Sequence, residues 1–361
     1  MNKNDFTIIL LQWYEEFGRT LPWRETKDPY AIWLSEVILQ QTRIAQGQAY
    51  WERFMQRFPT VDDLASANED EVLRLWQGLG YYSRARHLHQ AALQIAKLGK
   101  FPDTLDEIKK LKGVGDYTAA AIGSISFGLP AAAVDGNFFR VLARYFGIDT
   151  PINTTEGKKL FAALAQELLP VESPAAFNQA MMDFGATQCT PSSPHCVICP
   201  LMEGCVALRK GRIGQLPVKL GKTQVQIRRL TYLYVRFEGK TAIHRRGKGD
   251  IWQGLWEPVM VEDKGEKENT VSSLFKEFSS DISQNGSIVL LRQQVKHVLT
   301  HRIIYADFYL WQANEKPVLP EDYIWIPESA IDDYAIPRLV EILLESLPVQ
   351  RLKKNHRANN P

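Results

Sequence analysis

In the first two hundred residues, apolar positions recur at intervals of three and four, the period of a helix that buries one face. Over 6–17 they are Phe6, Ile9, Leu10, Trp13 and Phe17, and Gly18 closes the run. The same period predicts helices over 31–43, 45–58, 61–67 and 69–76, then one reaching Leu98, then 105–111 and another from Asp116. Alternation of period two begins only at Thr231-Tyr-Leu-Tyr-Val-Arg-Phe237, with 240–244 as its hairpin partner and 304–311 as a further strand. With one helix expected at 270–278, these elements predict an α+β domain of roughly 120 residues. The pattern divides the chain into an all-α region, 1–212, and an α+β domain, 230–347. Between them, 213–229 reads as a linker. Residues 209–229 hold seven Lys/Arg and no Asp/Glu, so the stretch is a solvated tether or a strip that touches phosphates. The tail, 348–361, is basic and reads as disordered.

Composition narrows the field. A chain of 361 residues can bury two cores, and 45% hydrophobic content is that of a globular protein. No apolar run approaches the ~20 residues that span a bilayer, and the N-terminus lacks the basic and apolar blocks of a signal peptide. The net charge of +2 is too small to identify a polyanionic partner, so any nucleic-acid surface has to be local.

Chemistry concentrates in a few places. Cys189, Cys196, Cys199 and Cys205 are the only cysteines and lie in one Pro-rich loop with spacing C-x6-C-x2-C-x5-C. Four thiolates there suit an iron–sulfur cluster or Zn2+, with paired disulfides as the third alternative. Such confinement fits a reducing cytoplasm. Leu111-Lys-Gly-Val-Gly115 sits between two expected helices. Gly113, Val114 and Gly115 are then either a tight helix connection or a helix-hairpin-helix turn whose N–H groups grip a phosphate, the motif spanning 105–124. Glu36 lies in a mostly apolar helix, either on its wet face or buried, where desolvation raises its pKa toward that of a general acid. Asp135 reads as an N-cap, held at the positive end of a helix and ionised there. A neutral acid beside a charged one is the pair that glycosidic cleavage uses.

Leu21-Pro-Trp-Arg24, Ser35-Glu-Val-Ile-Leu-Gln-Gln-Thr42, Gly78-Leu-Gly-Tyr-Tyr-Ser-Arg84, Leu111-Lys-Gly-Val-Gly115, Val134-Asp-Gly-Asn137 and the cysteine loop follow one another in a single order. Together they resemble the adenine DNA glycosylase (MutY) family of the helix-hairpin-helix superfamily, from about Trp13 to Cys205. The resemblance implies a helical catalytic region with a [4Fe-4S] cluster on the four cysteines. It implies a monomer acting on double-stranded nucleoid DNA, on adenine opposite 8-oxoguanine or guanine. It makes Glu36 the general acid, Asp135 the stabiliser of the oxocarbenium sugar, and Asn137 the residue that orients the site. Related bifunctional lyases carry a lysine where this chain has Tyr117, and a phenol forms no Schiff base, so hydrolysis without strand scission is expected. Arg19, Trp23, Arg24, Gln41, Thr42, Leu79, Tyr81 and the 113–115 turn match DNA-contacting positions. Among these, Gln41, Thr42 and Tyr81 wedge into the base stack, a requirement because a stacked base is out of reach of an acid.

Trp252-Gln-Gly-Leu-Trp-Glu-Pro258 resembles the corresponding stretch of Nudix and Nudix-like domains. Ser273-Leu-Phe-Lys-Glu-Phe278 offers one glutamate where a Nudix hydrolase carries a Mg2+-binding cluster, so the domain is expected to recognise rather than cleave. His297, Leu299, Thr300 and His301 match the family's lesion-reading loop, with Leu299 and Thr300 standing in place of Phe and Ser. Leu299 loses stacking area, whereas Thr300 keeps a hydroxyl. Two alternatives remain open: a related glycosylase of other base specificity, and a DNA-binding or electron-transfer protein without catalysis.

Overall fold

The computed structural model describes residues 3–221, 225–262 and 285–348. It resolves into two compact units, one of 3–67 with 86–221 and one of 68–85 with 225–348.

The first unit is helical. In chain order its elements are α1 (Lys3–Phe17), α2 (Pro29–Ile38), α3 (Ile44–Arg57) and α4 (Val61–Ser66); α5 (Glu69–Trp76) belongs to the other unit. Then follow α6 (Ser83–Leu98), α7 (Leu105–Ile108), α8 (Asp116–Phe127), α9 (Gly136–Phe146), α10 (Thr155–Leu168), α11 (Pro174–Asp183) and α12 (Val206–Arg209). Phe6 and Leu10 of α1 bury against Phe138 and Leu142 of α9, Phe161 of α10, and Phe177 and Met181 of α11. Helix α8 is enclosed from Thr118 to Ser124. Its Ala119-Ala-Ala121 run and Gly123 keep it thin enough to lie between α2 and α11, both of which it packs against. Asp28 caps α2 by accepting from the Tyr30 N–H at 3.0 Å, and Pro29 supplies the preset φ of a first helical residue.

One expectation needs correction here. The helix expected over 31–43 ends at Ile38, because Gln40-Gln41-Thr42 has no apolar face to bury and Gln41 turns into the left-handed region at φ 61°. Within the helical region 1–212, residues 68–85 group with the C-terminal unit.

The second unit is built on a seven-stranded mixed sheet. Its strands are β1 (Gln226–Phe237), β2 (Lys240–Arg245), β3 (Trp256–Glu257), β4 (Val259–Glu262), β5 (Ser287–Val298), β6 (Arg302–Gln312) and β7 (Tyr323–Pro327), in the order β3-β2-β1-β6-β5. β4 pairs with β1, and β7 with β2. β1 and β6 run parallel, and every other pair is antiparallel. The β1–β2 hairpin turns through Glu238 and Gly239, both at positive φ. A final helix, α13 (Arg338–Glu345), buries Leu339, Val340, Leu343 and Leu344. β1 starts at Gln226, inside the stretch expected to be linker, because Gln226-Ile-Arg-Arg229 continues the ladder with Arg302–Tyr305. The helix expected at 270–278 and the tail from 349 lie outside the described residues. Among the described residues, no helix is long and apolar enough to cross a membrane.

Candidate active site

A cavity of about 660 Å³ opens within the helical unit. Glu36 from α2, Tyr117 from the first turn of α8, and Asp135 and Asn137 from the start of α9 all line it. The wet-face alternative for Glu36 fails, since the residue is only 9% exposed. Burial pushes its carboxyl up to about 7; the bond from Tyr117 opposes this, nearby Asp135 adds to it, and Arg24 opposes it again. Tyr117 donates to Glu36 Oε2 at 2.6 Å, and its own pKa is raised well above the phenol value by burial and by the two carboxylates.

Asp135 is the N-cap of α9, as its sequence context predicts. Oδ1 accepts from the N–H groups of Asn137 and Phe138, each at 2.9 Å, and Oδ2 accepts from Asn137 Nδ2 at 2.7 Å. Burial raises its pKa, while these donors and Arg140 pull it down. Three donors and a helix N-terminus favour its anion, whereas the Glu36 anion receives the single Tyr117 bond; Asp135 is therefore the better-supported charge. Asn137 is itself fixed. Its Oδ1 accepts from Arg140 at 2.7 Å, and Arg140 also donates to the carbonyls of Gly185 (2.6 Å) and Cys189 (2.7 Å). Gly185 leaves room for this: a Cβ there would stand 2.4 Å from that of Asn137.

Of the residues expected to touch DNA, Arg19, Trp23, Arg24, Gln41 and Thr42 share this cavity. The two arginines, however, are engaged elsewhere. Both bind the fully buried carboxylate of Asp183, Arg24 through two nitrogens at 2.7 Å each and Arg19 through its side chain and its N–H. Burial would raise the Asp183 pKa, but these bonds outweigh it and the net shift is downward. The helix-hairpin-helix elements are α7 and α8: Gly113 takes φ 77° against His87, Val114 is buried, and Gly115 caps α8 with open space around it.

Leu79, Tyr81, His297, Leu299, Thr300 and His301 belong to the other unit. Leu79 is buried, whereas Tyr81 is 44% exposed and its hydroxyl shares a hydrogen bond with that of Thr300. His297 ends β5, and 299–301 form the turn into β6, closed by a bond from Leu299 N–H to the Arg302 carbonyl at 2.8 Å.

Sequence reading missed Asp183, Arg140, Gln179 and Met182. Gln179 and Met182 line the cavity, and Gln179 accepts from Tyr14 at 2.8 Å. The i, i+4 pair Gln179/Asp183 and the i, i+3 pair Asn137/Arg140 were the available signals.

No disulfide joins Cys189, Cys196, Cys199 and Cys205 in the structure. Burial raises the Cys199 thiol to about 11, opposed by a bond from the Leu201 N–H and aided by Cys189, Cys205 and Cys196. Cys189, Cys199 and Cys205 pack half-buried against the core of α1, α9 and α11. The buried Arg144 donates to Cys189 Sγ at 3.4 Å and to the carbonyls of Thr190 and Pro191, bracing the loop with a positive charge. Among the described residues, no three His, Cys, Asp or Glu side chains are grouped as a single-ion site.

Residues 34–170 match the HhH-GPD superfamily of base excision DNA repair proteins, and 231–346 match the NUDIX domain. The fold is thus that of a helix-hairpin-helix repair protein with a Nudix-like domain after it. The helical part resembles a thermostable thymine-DNA glycosylase, at 31% identity and a TM-score of 0.54, over 58% of this chain and 97% of that one. An adenine DNA glycosylase of Buchnera aphidicola is 34% identical over 84% of this chain and 84% of its own, and that of Homo sapiens 43% identical over 58% and 41%. The chain belongs to the adenine DNA glycosylase family, hydrolases of N-glycosyl bonds.

Proposed function

We propose that the cavity takes up an adenine turned out of duplex DNA and cleaves its bond to the sugar, with adenine opposite 8-oxoguanine or guanine as substrate. Glu36, neutral below pH about 7, donates a proton to the purine N7. The C1′–N9 bond then breaks with its electron pair leaving on adenine. The Asp135 carboxylate stabilises the positive sugar, and water adds at C1′ and returns a proton to a carboxylate. Asn137 holds Asp135, and Tyr117 holds Glu36; among the described residues no lysine lines the cavity to form a Schiff base, so the product is an intact strand with an abasic site. Tyr81 and the 299–301 turn face the base opposite the adenine. Gly113 and Gly115 offer N–H groups to a phosphate. Cys189, Cys196, Cys199 and Cys205 hold a [4Fe-4S] cluster, which when bound cross-links a loop that has little core of its own.

The observation that carries this reading is the acid raised to about 7 that shares one cavity with a triply bonded carboxylate. Single-turnover base release from duplexes with adenine opposite 8-oxoguanine, guanine, cytosine and thymine tests it. Glu36→Gln and Asp135→Asn should each abolish release while duplex affinity persists. Normal release by either variant would overturn the assignment.

A further inference from the structure

Helix α5 and the glycine turn after it are fastened to the C-terminal domain along their length. At the start of the helix, Arg245 of β2 bridges Glu69 and Asp70, each at 2.9 Å. In the middle, Gly254 takes φ 83°, and a Cβ there would lie 3.2 Å from the Leu73 side chain. At the end stands Gln77, the C-cap residue of α5. Its amide donates to Glu341 Oε1 at 2.5 Å and accepts from the Ile336 N–H at 3.3 Å. Four residues later the chain reaches Tyr81, whose hydroxyl bonds that of Thr300.

The turn between them has little conformational preference of its own. Gly78, Gly80 and Tyr81 all have positive φ, at 97°, 73° and 48°. For a tyrosine that region is costly and persists only where surroundings impose it. Inside the turn, Trp76 Nε1 donates to the Gly80 carbonyl at 3.0 Å, and Arg84 stacks 5.1 Å from the Trp76 ring and 5.5 Å from that of Tyr81. These contacts shape the turn, and Gln77 ties its start to the domain that carries the 299–301 turn.

We infer that Gln77 is a positioning residue for Tyr81: its amide, held by Glu341 and the Ile336 N–H, fixes the 78–81 turn so that Tyr81 meets Thr300. This rests on the proposed reading of Tyr81 as a contact to the base opposite adenine. Its consequence is that discrimination between orphan bases depends on a residue that does not line the catalytic cavity.

The experiment is single-turnover base release by the full-length protein, taken as the ratio of rates on 8-oxoguanine:adenine and guanine:adenine duplexes. Gln77→Ala should lower this ratio about tenfold, the scale of one lost hydrogen bond to a charged group, with the guanine:adenine rate unchanged. Gln77→Glu sets two carboxylates against each other and should lower it as well. Adding Glu341→Gln restores a donor–acceptor pair and should restore the ratio, a rescue that general destabilisation would not give. In a Tyr81→Ala background, Gln77→Ala should have no further effect. If Tyr81→Ala leaves the ratio unchanged, the reading of Tyr81 fails and this inference falls with it. If Tyr81→Ala collapses the ratio while Gln77→Ala does not, or the two effects add, or the exchange gives no rescue, the latch alone is wrong.

Discussion

The hydroxyl of Tyr117 lies 2.6 Å from Oε2 of Glu36 and donates to it. The bond favours the Glu36 anion, whereas burial and Asp135 favour the neutral acid, and the balance stands at about 7. Tyr117 is thus a brake on the acidity shift as well as an orienting group.

Removing that brake should be visible in a pH–rate profile. Release requires the protonated acid, so the rate should be flat below about pH 7 and fall above it. In Tyr117→Phe the falling limb should move to higher pH by about half a unit to one unit, the equivalent of one neutral hydrogen bond. A limb that stays in place or moves to lower pH would contradict the geometry.

The same shift bears on stability. Between its ordinary value of 4.5 and about 7, Glu36 binds more protons in the folded than in the unfolded chain, so stability falls as pH rises through that window. Glu36→Gln removes the buried charge and should unfold at higher denaturant concentration at pH 8, by about 2–3 kcal/mol, while releasing no adenine. At pH 4 the gain should vanish.

Asp183 gives the opposite sign. Two arginines converge on this fully buried carboxylate, so Asp183→Asn leaves their charges uncompensated. A loss of about 3–5 kcal/mol is expected in chemical denaturation, with retained duplex affinity in whatever fraction stays folded.

Gly185→Ala places a methyl 2.4 Å from the Asn137 Cβ. The overpacking should cost about 1–3 kcal/mol and displace the amide from Asp135, lowering single-turnover release more than binding. Equal losses in both would mean the strain spreads beyond Asn137.

Cys199→Ser tests the loop. Anaerobically purified protein should show the broad visible absorption of an iron–sulfur cluster and the variant should lose it, whereas a zinc site is colourless in both.

Where local pattern decides, sequence and structure agree: the capped start of α9 at Asp135, the β1–β2 hairpin, and the three-to-four periodicity of α1 were all legible. The departures have one origin. Asp183 reads as an ordinary helix-terminal acid, and only folding brings it 159 residues in sequence to Arg24. Similarly, 69–76 has the amphipathic pattern of any surface helix, and nothing local says that it groups with residues from 225 onward. The raised acid at Glu36 lay between: apolar neighbours suggested burial, but they fit a half-wet helix equally well.

The grouping of 68–85 with 225–348 has a consequence for biogenesis. On the ribosome, α5 emerges long before its partners, with Arg86–Lys222 still to be made. At ~5–20 residues per second this takes on the order of ten seconds, during which Val72, Leu73 and Trp76, buried in the finished chain, wait for the rest of their own unit. Until then 68–85 stand as an excursion whose partner residues do not yet exist.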